Sequence, residues 1–393
     1  MKVGIAASTH PGYKISLEEA LHFSGVAAGI CYMPDTLDAL FNEPAEKTMK
    51  RINACIKSGH HSVCDHVVLN LALEDIPKML AMFLNNEKMY NTSEKSARYT
   101  TMKASPAEVK LYQKWISIFD MEIAKAYPNI GEKKRKKLAM ENARYLISVF
   151  TPATSMLYSV TLRQLNLILY WMHKYIKNEI NDAFSEKVKS IFEDFLCTPV
   201  SGTSMQVKDF AINDLNDGWK NRSFSLIAKN GYRKEEFGEN YCTNYVASFA
   251  ELAQAQRHRT LKYEFSIIEK SKFKRYHVPP IIKDSEFKAE WIHDMESLKE
   301  NYPQGMLVYV NERGTCEDFI LKCTERLCGE TQLEIASQTQ KTLKKYMNSV
   351  KQSNPNIYNR MLPYSHGARC TFPGWSCKNP CIFGPKYALK RII

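Results

Sequence analysis

The stretch Gln254-Ala-Gln-Arg257-His258-Arg259 constrains this chain more than any other. It follows Tyr245-Val-Ala-Ser-Phe-Ala-Glu-Leu-Ala, in which Val246, Phe249, Leu252 and Ala253 recur at helical spacing. A helix through this run places Gln254 and Arg257, three apart, on one face. Clustered basic side chains repel one another unless solvent or an anion lies between them. A solvated basic turn meets that condition. So does a phosphate or an electron-rich ring gripped by the planar donor fork of arginine.

Other polar segments accompany it in order. Downstream lies Glu325-Arg326-Leu-Cys-Gly-Glu330-Thr-Gln332-Leu-Glu334-Ile. In the first half are Gly59-His60-His61-Ser62-Val-Cys-Asp65-His66, then Ser93-Glu94-Lys95-Ser96-Ala97-Arg98-Tyr99, Glu141-Asn-Ala-Arg144-Tyr and Thr161-Leu-Arg163-Gln-Leu. The ordered set resembles the flavin-dependent thymidylate synthase family, with its G-H-E-S-x-x-E-H, RHR, N-E-x-S-x-R-Y, D-A-R, N-x-R-x-L and R-x5-Q-x-E-I segments. The pattern is met twice, each time in part. In the first copy Asn86-Glu87-Lys88 stands where the family has RHR, and Met172, nine residues after Arg163, replaces the late arginine. In the second copy Glu317 stands at the place of Arg163, Tyr245 is taken as the counterpart of His66, and Ser266 falls seven residues after Arg259 where the family needs eight.

The resemblance implies an α+β fold in two tandem copies, residues 1–200 and 201–393, each a small mixed sheet flanked by long helices. It implies FAD-dependent methylation of dUMP at C5 to dTMP, with methylenetetrahydrofolate as carbon donor and NADPH as reductant. Arg326 would stabilise the anionic uracil ring, the kind of charge stabilisation that is worth roughly 10²–10³ in rate per donor. Gln254, Arg257, Glu94, Ser96 and Arg98 would hold the nucleotide. Arg257, His258, Arg259, His60, His66, Glu94 and Arg163 would contact the flavin. Since the losses of the two copies are complementary, one composite site per chain is expected, in a homodimer that mimics a family tetramer. A related C5 modification such as hydroxymethylation, and a degenerate nucleotide- or nucleic-acid-binding protein, are the alternative readings.

Net charge +12 favours anionic partners. No zinc-finger, RNP or basic-zipper pattern points to nucleic acid, and no G-x-G-x-x-G or P-loop segment to a Rossmann or triphosphate fold. The first residues are too polar for a signal peptide and no apolar run approaches a bilayer's thickness, so a cytoplasmic protein is expected. Eleven cysteines are then expected to be thiols. Cys370, Cys377 and Cys381, with His366, offer four ligands for zinc or an iron–sulfur cluster, although C-x6-C-x3-C is not a standard spacing. Periodicity predicts strands at 67–73 and 223–228 and helices at 76–84, 245–256, 286–299, 316–327 and 329–350. It also makes 106–197 almost wholly helical and places a joint between the copies at Pro199–Thr203.

Overall fold

The computed structural model describes residues 1–8, 15–32, 36–96, 103–180, 182–215, 217–219, 221–228, 231–268 and 275–393. In chain order the first half runs β1 (Lys2–Ser8), α1 (Leu17–Tyr32), α2 (Leu37–Phe41), α3 (Ala45–Lys57), β2 (Val68–Pro77), α4 (Lys78–Leu84) and β3 (Tyr90–Glu94). Next come α5 (Pro106–Ala126), α6 (Glu132–Ala143), β4 (Pro152–Thr161), α7 (Leu162–Ile176), α8 (Ala183–Leu196) and β5 (Val200–Ser201). The second half holds β6 (Glu236–Phe237), β7 (Asn240–Ser248), α9 (Phe249–Ala255), β8 (Lys262–Ile267), α10 (Phe287–Ser297), β9 (Leu307–Thr315), α11 (Cys316–Arg326) and α12 (Leu333–Val350). The fold is α+β, as expected.

The elements pack as two units, Met1–Lys95 with Pro152–Phe224, and Ser96–Thr151 with Ser225–Ile393. The first unit is built on a sheet of order β3-β4-β2-β1-β5, the second on one of order β6-β7-β9-β8. Each contains the same antiparallel ladder, in which a strand leads through a short helix to an edge strand, and both strands pair with a later central one. The register agrees residue by residue. Leu71 and Thr92 flank Tyr158 in the first ladder, and Thr243 and Tyr263 flank Glu312 in the second. Both central strands end on a threonine, Thr161 or Thr315, whose side chain accepts from a backbone N–H in the first turn of the next helix. This correspondence is what tandem copies require.

Four expectations need correction. Pro152–Thr161 lies inside the stretch read as helical, yet it is the central strand β4; Thr154, Tyr158, Val160 and Thr161 favour a pleated, half-buried surface. Tyr245–Ser248 belongs to β7, not to a helix, and Ser248 caps α9 by accepting from Glu251 N at 3.0 Å. The proposed joint is a strand as well, because Val200 and Ser201 pair in parallel with Val3 and Gly4. Residues 223–228 form no named strand; Ile227 makes an isolated bridge to Phe265.

The hairpin α5–α6 belongs to the second unit. Ser105 and Glu108 form a capping box at its start, and buried Glu108 also accepts from Ser148 N at 2.6 Å. Trp115 stacks edge-on against Trp291 of α10 with ring centroids 4.7 Å apart, and its Nε1 donates to Asp294 at 2.8 Å.

Candidate functional site

In the second unit, α9 delivers the basic cluster. Arg257, His258 and Arg259 occupy the turn after that helix, with Arg257 N donating to Gln254 O at 3.2 Å and His258 N to Ala255 O at 2.9 Å. Arg326 is the last residue of α11. Its Nε–H donates to His258 Nε2 at 2.5 Å, and its Nη2 to the Gln254 carbonyl at 3.3 Å. Burial, with Arg326 and Lys322 nearby, pulls the His258 imidazole down to about 2. The ring is therefore neutral at pH 7, as an acceptor of an arginine N–H must be. Its Nδ1 then carries the proton and lies 3.5 Å from Glu325 Oε2. The structure thus brings Gln254, Arg257, His258, Arg259 and Arg326 together.

Beneath that surface lies a buried polar network. Lys322 and Glu312, both fully buried, pair at 2.5 Å. Tyr241 and Tyr245 each donate a hydroxyl to Glu312 at 2.8 Å. Tyr245 therefore sits mid-strand and is not the counterpart of His66; the matching ladders put that position near Gly238. Glu251 on α9 is buried with no hydrogen-bond partner at either oxygen among the described residues, and burial pushes its carboxyl up to about 8. Glu334 accepts from Ser248 N at 2.9 Å, Ser248 Oγ at 2.6 Å and the Tyr145 hydroxyl at 2.7 Å. Gln332 accepts from Arg144 Nη2 at 2.6 Å. The D-A-R-like and R-x5-Q-x-E-I-like segments therefore meet directly.

In the first unit, α3 ends in a left-handed glycine. Gly59 has φ +83°, His60 N reaches back to Cys55 O at 2.9 Å, and Gly59 N reaches Ile56 O at 3.2 Å. A side chain at Gly59 would be strained in that conformation. The turn exposes His60 and leads into the helical turn His61–Asp65, with His66 exposed beyond it. Arg163, at the start of α7, pairs with Asp65 at 2.9 Å, and Asp65 also accepts from Thr161 Oγ1. Glu94 pairs with Lys78 at 2.6 Å and accepts from Thr154 Oγ1 at 3.1 Å. Ser96 is half-buried; Arg98 lies outside the described residues.

Asp65, Lys78, Glu251, Glu312 and Lys322 were not foreseen. For the last three a signal existed, since Glu251 follows Phe249 and Ala250, Glu312 continues the alternate buried positions Val308 and Val310 of β9, and Lys322 precedes buried Cys323. Each is a charge on an otherwise apolar face.

The tail does not assemble a metal cage. Among the described residues no group of three or more His, Cys, Asp or Glu is arranged to hold an ion. Cys377 and His366 are exposed, while Cys381 packs on Gly329. Cys328 accepts from Arg369 at 3.6 Å. No helix among the described residues is long and apolar enough to cross a membrane.

Residues 17–191 match the family model described as thymidylate synthase complementing protein. A flavin-dependent thymidylate synthase of Clostridium tetani (strain Massachusetts / E88) is 27% identical over 191 residues, covering 42% of this chain and 76% of that protein. Part of the chain is thus similar to the flavin-dependent thymidylate synthases. Among solved structures, a UMP/dUMP methylase, PolB from Streptomyces cacaoi bound with 5-Br dUMP, shares 13% identity at a TM-score of 0.32, over 49% of this chain and 87% of its own. The flavin-dependent thymidylate synthase ThyX of Helicobacter pylori, complexed with FAD and dUMP, shares 16% at 0.28, over 51% and 100%.

Proposed function

We propose that this protein is an FAD-dependent enzyme that methylates dUMP at C5, drawing the carbon from methylenetetrahydrofolate and electrons from NADPH. The observation that carries the reading is the Arg326–His258 pair, 2.5 Å from Nε to Nε2, within a turn that also holds Arg257 and Arg259. Three guanidiniums beside a neutral histidine form a donor set suited to anions, and a nucleotide phosphate and a reduced flavin ring are both anionic. FAD, once bound and reduced, supplies the electrons that turn a one-carbon unit into a methyl group.

The chain's own residues do the rest. Arg326, fixed at Nε and Nη2, stabilises negative charge on the uracil carbonyls and so makes C5 nucleophilic. His258, being neutral, orients that guanidinium without competing for the anion. Gln254 and Arg257, with Glu94, Ser96 and Arg98 from the other copy, hold the nucleotide. Arg257, His258 and Arg259, with His60, His66, Glu94 and Arg163, hold the flavin. The two copies contribute different members of this set, which fits one site per chain and a homodimer.

The decisive experiment is mass spectrometry of the nucleotide formed from dUMP with methylenetetrahydrofolate and NADPH, run beside flavin stoichiometry and light scattering. The expected outcome is a gain of one methyl group, one flavin per chain and a dimer. A hydroxymethyl product, an unchanged nucleotide, or two flavins per chain would overturn the corresponding part.

A further inference from the structure

The second unit contains a cavity of about 630 Å³ that the proposed methylation does not use. It lies beside the end of β7, under α10 and the first turns of α12. Val246, Ile292, Leu307 and Leu333 make an apolar wall. At its buried end His277 Nδ1 lies 3.5 Å from Glu334 Oε1. At its open end stand Lys283, Lys288 and Lys341, all exposed. Among the described residues no carboxylate pairs with these three lysines, whereas Glu296 on the same rim is already engaged by Arg275 at 2.8 Å and the Tyr276 hydroxyl at 2.6 Å. The cavity thus couples a dry wall and a polar floor to three uncompensated positive charges, and its volume suits one small ligand.

The floor selects the ligand. Burial lowers the His277 pKa, so the ring is neutral near pH 7. Nδ1 is the ring nitrogen 3.5 Å from Glu334 Oε1, and the tautomer with its proton there leaves Nε2 as an acceptor. An alkyl chain would waste that acceptor. A flat heterocycle carrying an amino group satisfies it while its faces lie on the apolar wall, and phosphates then reach the lysines as charge-assisted acceptors. We propose that this cavity is a second nucleotide site, which takes an amino-bearing nucleoside diphosphate with the base at His277 and the phosphates at Lys283, Lys288 and Lys341.

The test is equilibrium dialysis of the full chain with ADP and, separately, IDP, whose base carries a carbonyl where adenine carries the amino group. Saturating dUMP and FAD are present throughout, so that the nucleotide and flavin positions of the methylation site are both filled. One ADP per chain is expected, with IDP at least about tenfold weaker because two acceptors would face each other. A triple variant, Lys283→Glu with Lys288→Glu and Lys341→Glu, should lose at least about tenfold in ADP affinity. The positions are exposed, so the fold should persist, and Arg326→Ala should bind ADP unchanged whether or not it still methylates. No saturable ADP binding, equal affinity for IDP, or an unaffected triple variant would each overturn the proposal.

Discussion

The two ladders share topology and register, yet equivalent positions in their cores have opposite chemistry. In the first unit Tyr158 and Ile168 are fully buried among Leu69, Leu73 and Leu80. The positions that the common register makes equivalent in the second unit are Glu312 and Lys322, with Tyr241, Tyr245 and Glu251 around them. The contrast continues one turn farther along these elements, with Glu87 and Met172 in one unit and His258 and Arg326 in the other. One backbone therefore tolerates either core. A buried ion pair seldom stabilises more than well-packed apolar residues of similar volume. The first unit takes the apolar solution, and the second keeps its charges where Arg326 and His258 are held. The polar core fits a site being positioned better than a fold being strengthened.

The sharpest way to break this comparison is Lys322→Met. It strands Glu312 in full burial, and the expected loss is about 3–5 kcal/mol in urea unfolding. Glu312→Leu added to Lys322→Met should restore much of that loss, because the charge goes with its partner. A double variant no more stable than the single would show that the network strengthens the fold after all.

Next in size is an exchange of roles at equivalent positions. Arg326→Ala should lower turnover by roughly 10²–10³ while leaving the unfolding midpoint nearly unchanged. Met172→Ala should do the reverse, costing about 2–5 kcal/mol of stability through the cavity it opens. Turnover and denaturation measured on both variants decide it; equal losses of activity would erase the distinction between the copies.

The smallest effect is a change of slope with pH. Folding raises the Glu251 carboxyl from 4.5 to about 8, so the folded protein holds a proton that the unfolded chain has released. The stability this brings is complete below about 4.5 and is lost as pH rises through about 8. His258 acts in the opposite sense, since its pKa falls from 6.5 to about 2, and the stability it contributes above 6.5 is lost as pH drops toward 2. Glu251→Gln should therefore flatten the decline between pH 5 and 8 while sparing the acid side. An unchanged profile would place the titration elsewhere.

Much of the fold was legible where periodicity and caps agreed. Helices near 286–299, 316–327 and 329–350 appear as α10, α11 and α12. The register between the copies was legible too, since Asn86-Glu87-Lys88 does occupy the turn that matches Arg257-His258-Arg259, and Met172 does match Arg326. β4 was hidden because its alternation is short and lies between long helices. The basic cluster of the site could be read from the sequence. The network beneath it could not, because pairing between Glu312 and Lys322 depends on a helix folding back over its own strand. The cavity left no local signal either, as its lining comes from four separate segments.

The excursion of α5 and α6 into the second unit has a consequence for the order of synthesis. The hairpin emerges from the ribosome with Trp115 and Phe119 on its apolar face, and their partner Trp291 follows 176 residues later. At about 5–20 residues per second, that interval is on the order of 10–35 s. The first unit meanwhile cannot close its sheet until β4 has followed the hairpin out. A nascent chain must therefore shelter two aromatic side chains through nearly half of its own translation. Genes that cut the copies apart near residue 200 would leave that hairpin permanently without its partner.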